Sequence, residues 1–196
     1  MPRPRTFEED DVVAAARDAF WSGGYAGTSL DDLTAATGLG KGSLYGAFGD
    51  KHALFMRTLG GYCEVALDAT RRHLRGPVDG AYQRLADYVR ALAALNTADT
   101  ELRGCLMAKS AAELAGSDTD VREKVSSTLT AIHTELARTV ADAQREGTVA
   151  PDADADKLAS LVLAVLRGME SLHKSFVGDR IVVDAAEQIL QLLPRR

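Results

Sequence analysis

The chain has 196 residues, 46% of them hydrophobic, enough for one large domain or for a small one joined to a larger one. It holds no apolar run of membrane-spanning length and no secretory leader, and Cys63 and Cys105 are too few for a disulfide scaffold, so a cytoplasmic protein without a membrane partner is expected. The net charge of −5 argues mildly against nucleic acid, and residues 1–51 sharpen the objection with five basic against eight acidic side chains.

Residues 1–6 (MPRPRT) form a proline-broken arm. It reads either as a solvated tail or as an arm whose Arg3 and Arg5 touch phosphate or the minor groove. A first helix is predicted over 7–21, with Thr6 as cap and Glu9 as its capping-box partner. Val12, Val13, Ala16 and Phe20 give it one apolar face, and Gly23 and Gly24 end it. Residues 28–50 (TSLDDLTAATGLGKGSLYGAFGD) read as two short helices around a tight turn. Thr28 or Ser29 caps the first of them, and Leu33 faces inward. Gly38 supplies the left-handed end and Gly40 opens the second helix. There Leu44 and Phe48 mark the buried side and leave Lys41, Ser43, Tyr45 and Ala47 outward, the pattern of a helix-turn-helix.

Beyond it, a helix over 50–75 has Leu54, Phe55, Leu59 and Tyr62 on its buried side. Its Gly60–Gly61 pair reads either as a hinge or as close helix packing. Further helices are predicted over 78–96, 102–115, 118–146, 154–177 and 179–193. In the helix over 118–146, Val121, Val125, Leu129, Ile132, Leu136, Val140 and Ala143 repeat in steps of four, four and three. The apolar stripe over 154–177 is wider than one core face requires. It reads as deep burial or as a subunit interface, and a homodimer is expected because one short recognition helix reads too few bases. The fold class is therefore all-α, with nine helices in two parts. An N-terminal helix-turn-helix DNA-binding domain covers 6–66, its motif lying at 29–48. A C-terminal helical bundle, read as the dimerisation part, covers 67–196.

Residues 33–55 (LTAATGLGKGSLYGAFGDKHALF) resemble the DNA-binding module of the TetR family of bacterial transcriptional regulators, a likeness that extends over about 6–62. The resemblance implies a repressor that binds double-stranded DNA at a palindromic operator, dimerises through its last two helices and responds to a small-molecule effector, which makes 67–196 the ligand-binding part as well. The positions matched to the family's DNA contacts include Thr28, Ser29, Lys41, Gly42, Ser43, Tyr45 and Lys51. Their chemistry agrees: Lys41 and Ser43 suit base edges, while Tyr45, Lys51, Thr28 and the amides opening its helix suit phosphate. Placement thus outweighs the acidic sum, because the acids sit at helix starts, and a shallow salt dependence is expected. Two departures stand out. Gly46 and Ala47 replace larger side chains common in the family, and Gly40 replaces a Ser or Thr cap.

No catalytic constellation, metal-binding spacing or cofactor motif is recognisable, so neither an enzyme nor a metal protein is expected. The four histidines are scattered, and the acidic runs lie at helix starts. Cys105 is the single candidate for reactivity: it stands near a helix start, with Lys109 one turn on. The stretch over 103–114 resembles a TetR subgroup that controls electrophile-detoxifying reductases, and the spacing from Gly168 to Lys174 resembles it too. That likeness implies an electrophile or oxidant sensor with Lys174 near the cysteine, whereas a small core residue is the plain reading of Cys105. An effector pocket is expected among Tyr82, Tyr88, Leu92, Met107, Ile132, Met169 and Phe176, all of which also suit a core. An effector-free protein-binding module and an unrecognised enzyme remain the rival readings.

Overall fold

The structure, a computed structural model, describes residues 8–175 and 178–194, with the backbone alone at Lys174. The described residues form nine helices, α1 (Glu9–Gly23), α2 (Leu30–Thr37), α3 (Lys41–Phe48), α4 (Lys51–Leu74), α5 (Ala81–Ala98), α6 (Leu106–Leu114), α7 (Thr119–Glu146), α8 (Ala155–Lys174) and α9 (Asp179–Leu192). They contain no strand. The expected all-α class holds.

Helix starts account for most differences from the sequence reading. Helix α1 begins at Glu9 with Glu8 at the cap position, and no side chain caps it. Thr6, Phe7 and the Arg3/Arg5 arm lie outside the described residues. Helix α5 starts at Ala81 rather than 78, because Gly80 adopts φ 77 and interrupts the helical backbone. The Glu146 carboxylate then accepts from Gly80 N at 3.2 Å and Tyr82 N at 3.1 Å, replacing the missing cap. Helix α6 starts at Leu106 rather than 102, since Leu102 (φ 52) and Gly104 (φ 65) lie in the left-handed region. Helix α4 runs unbroken through Gly60 and Gly61.

The chain divides into two compact units. The first joins the described residues up to Glu64 with Leu106–Val125. Its core holds Val12, Ala16, Phe20, Leu33, Leu44, Leu54, Phe55 and Leu59. The rings of Phe20 and Phe55 meet edge to face at 5.2 Å, and Tyr25 lies 4.9 Å from Phe55.

The second unit joins Val65–Cys105 with the described residues from Ser126 onward. Here α5, α8 and α9 pack mutually. They bury Leu85, Val89, Val162, Leu166, Met169, Val182, Ala186 and Ile189. In the same unit, α7 buries Ile132, Leu136 and Val140. On another face of α7, Glu135 and Asp142, two turns apart, are both buried and both held by arginines. Glu135 accepts from Arg71 Nε at 3.4 Å, Arg75 Nε at 3.1 Å and Arg138 Nε at 3.3 Å. Asp142 is paired with Arg138 and Arg145.

The Arg75 guanidinium holds the Glu135 carboxyl below the usual carboxylate range. A carboxyl depressed on folding contributes stability above its unfolded pKa and loses it as pH falls through the folded one. Glu135→Gln is therefore expected to cost about 2 kcal/mol at pH 7, discounted for the solvent around the arginines. The deficit relative to wild type should shrink at pH 3 in urea titrations, and an equal deficit at both pH values would contradict this role.

Candidate nucleic-acid interface

The helix-turn-helix is built by local chemistry. Ser29 caps α2: its Oγ accepts from Asp32 N at 3.1 Å, and Asp32 Oδ2 accepts from Ser29 N and Oγ at 2.7 Å each. This reciprocal box satisfies two of the free amides at the helix start, Ser29 N and Asp32 N, and draws the Asp32 carboxyl below its ordinary range, chiefly through the Ser29 hydroxyl. Gly38 closes α2 at φ 69, with its amide on Thr34 O at 3.0 Å. Gly40 then stands at the cap of α3 without a side-chain bond, as its missing side chain requires.

From this frame Lys41, Gly42, Ser43 and Tyr45 all emerge into solvent, with Leu44 buried beneath them. Ala47, expected outward, is half-buried. Lys41 Nζ pairs with Asp31 Oδ1 across to α2 at 2.7 Å. The exposed donors of α3 therefore stand beside the start of α2, where Ser29 is also exposed. Lys51 is half-buried, its ammonium 4.4 Å from the centre of the Tyr25 ring.

Thr28 departs from expectation. It is buried, and its hydroxyl donates to Gly24 O at 2.6 Å and toward Ala19 O at 3.3 Å. It ties the α1–α2 turn together, so its side chain is not placed to meet a phosphate. Three contacts were not legible beforehand. Lys109 Nζ donates to Trp21 O and Ser22 O, the Glu113 carboxylate accepts from Tyr25 N and Ala26 N, and His52 Nε2 lies 2.7 Å from Asp118 Oδ2. Asp120 stands close to that last pair. Asp118 already caps α7 through Val121 N at 3.1 Å, which with His52 accounts for its depressed carboxyl.

The expected effector residues separate. Cys105 is buried in the second unit, its Sγ 3.5 Å from Arg167 Nη1. Arg167 also pairs with Glu170 at 3.0 Å, and burial pushes the Glu170 carboxyl up. Lys109, expected beside Cys105, instead sends its ammonium to the carbonyl end of α1. The side chain of Lys174 and all of Phe176 lie outside the described residues. Of the expected pocket residues, Tyr88, Met107, Ile132 and Met169 are buried, and Met107 belongs to the first unit. Leu92 is half-buried, and Tyr82 donates its hydroxyl to Leu190 O at 3.0 Å. Tyr88 meets Thr70 hydroxyl to hydroxyl at 2.8 Å, and burial raises its phenol. A cleft of about 490 Å³ opens elsewhere, between Arg75, Gly76, Thr134, Glu135 and Arg138.

An exposed, glycine-opened helix bearing lysine and serine, set against a capped partner helix, defines a helix-turn-helix DNA-binding regulator. Comparison with known proteins agrees. Residues 12–58 match the family described as "Bacterial regulatory proteins, tetR family", and 81–190 match "Tetracyclin repressor-like, C-terminal domain". The chain belongs to the TetR family of transcriptional regulators. It is 27% identical over 192 residues to the HTH-type transcriptional repressor ComR of Escherichia coli K12, covering 98% of this chain and 91% of that protein. A cysteine-substituted TetR family regulator CifR, solved with a double-stranded operator, superposes with a TM-score of 0.80 at 32% identity. That likeness covers 98% of this chain and 100% of CifR. Reduced NemR of E. coli shares the fold at a TM-score of 0.84 and 16% identity, over 95% and 97% of the two chains.

Proposed function

We propose that this protein is a homodimeric repressor that binds a palindromic operator through two copies of α3 and leaves it when an effector binds. The observation that carries the reading is the exposed start of α3, Lys41 to Ser43, beside the capped start of α2. Lys41 and Ser43 read base edges, while Tyr45, Lys51 and the positive start of α2 beyond its Ser29 cap attract phosphate. DNA binding is assigned to 6–66, and effector binding and dimerisation to 67–196. Leu161 and Leu172 of α8 and Ile181, Val183 and Leu192 of α9 remain exposed in the single chain, which supports a two-fold interface on those helices. The protein acts in the cytoplasm and without catalysis. Selection of bound DNA from random duplexes, followed by footprinting, tests the assignment. A two-fold symmetric protected site is expected, and enrichment of no sequence overturns it.

The effector reading centres on Cys105. Its Sγ lies 3.5 Å from Arg167 Nη1, a charged side chain that also forms an ion pair with Glu170. N-ethylmaleimide is expected to release the wild-type protein from the selected operator while Cys105→Ser stays bound. Release of both, or of neither, removes Cys105 as the sensor.

A further inference from the structure

Two side chains one turn apart on α6 grip opposite sides of the turn that follows α1. Lys109 Nζ donates to Trp21 O and Ser22 O at 2.8 Å each. These carbonyls lie in the last turn of α1, which carries no basic residue of its own. Glu113 Oε2 accepts from Tyr25 N at 2.9 Å and its Oε1 from Ala26 N at 2.6 Å. The i, i+4 spacing puts both groups on one face of α6. Gly24 between the two grips adopts φ 78 and ψ 170, a region glycine alone occupies readily. A Cβ there would stand 2.9 Å from Glu113 Oε2 and 3.5 Å from Lys109 Cε. Glycine is required here by the backbone conformation, and any side chain would also push the Glu113 carboxylate from its place.

The gripped turn leads to the DNA-reading helices by two routes. Thr28 Oγ1 bonds Gly24 O and precedes Ser29, the cap of α2. Tyr25, whose amide Glu113 holds, offers its ring face to the Lys51 ammonium. We propose that Lys109 and Glu113 are positioning residues for operator recognition. They hold the α1–α2 turn in register and, through Tyr25, seat Lys51 for its phosphate. The proposal rests on the operator-binding reading above, and it makes α6 a working part of the DNA-binding unit.

The test uses the full-length protein, the duplex selected by wild type and an unrelated mixed-sequence duplex. Lys109→Met and Glu113→Gln are each expected to weaken selected-duplex binding by about tenfold. Glu113→Gln should also reduce the salt slope on both duplexes by about two, one for each protomer, as the Lys51 phosphate contacts loosen. Lys109→Arg, which keeps charge and donors, should bind as wild type does. Hydrogen exchange should show Tyr25 and Ala26 amides deprotected in Glu113→Gln. Lowered urea midpoints with wild-type affinity and salt slope would mean a merely structural role and overturn the proposal. Should wild type select no preferred duplex, the operator reading fails separately, and an unchanged salt slope on the mixed duplex would still overturn the seating of Lys51.

Discussion

Lys41→Ala is expected to cost about 1–3 kcal/mol of operator binding per recognition helix, the worth of a well-placed base contact. A dimer that engages two half-sites takes the loss twice, so the affinity change on the selected operator is large. On an unrelated duplex the change should be small, and the ratio between the two therefore collapses. Lys51→Ala is expected to behave differently. It should weaken both duplexes alike and flatten the salt slope, as a phosphate contact does. The resting partners of these lysines explain why neither is locked. Lys41 pairs with Asp31 at 2.7 Å with both side chains largely in solvent, a pair worth at most about 1 kcal/mol. Lys51 rests on an aromatic face rather than on a carboxylate. Binding isotherms for both variants on both duplexes decide the matter. An equal loss for Lys41→Ala on operator and unrelated DNA would move Lys41 from base reading to phosphate binding.

Those lysines were legible in the sequence because the motif that holds them is local. Ser29, Gly38, Gly40 and Leu44 lie within one short stretch, and each acts on its near neighbours through capping, a left-handed turn or burial. The same locality made α7 readable, since its apolar steps need no distant partner to declare a helix. Failures began where a distant or backbone event intervened. Leu102 sits at φ 52, which a leucine enters only at a cost, and nothing in its neighbourhood announces it. The start of α5 depends on Glu146, far along the chain. Thr28 looks like a cap, but the turn at Gly24 brings a carbonyl to its hydroxyl and draws it inward. The sequence places Lys109 beside Cys105 and does not single out Glu113, because their partners lie 87 or 88 residues away. The helix-turn-helix was thus written locally, while the contacts of Lys109 and Glu113 to the turn before it were written in tertiary structure.

Phe55→Ala is expected to remove about 3–5 kcal/mol from the first unit, a large share of the 5–15 kcal/mol that holds an ordinary domain folded. Phe55 is 1% exposed and packs against both Phe20 and Tyr25. Truncation leaves a cavity that α1 and α4 cannot close without breaking the edge-to-face contact. Phe55→Leu keeps most of the volume and should cost well under half as much. Both variants should lose operator binding at temperatures where wild type binds, but for a reason opposite to that of Lys41→Ala. A destabilised unit with an intact reading surface is rescued by mass action, because DNA that binds only the folded form raises the unfolding midpoint. Saturating operator should therefore restore the Phe55→Leu midpoint and partly restore that of Phe55→Ala. Lys41→Ala should unfold like wild type without DNA and gain little from its addition. A wild-type midpoint for Phe55→Ala would show that the aromatic contacts are incidental to the fold. A normal midpoint with lost DNA binding would instead place Phe55 in the reading surface itself, against its burial.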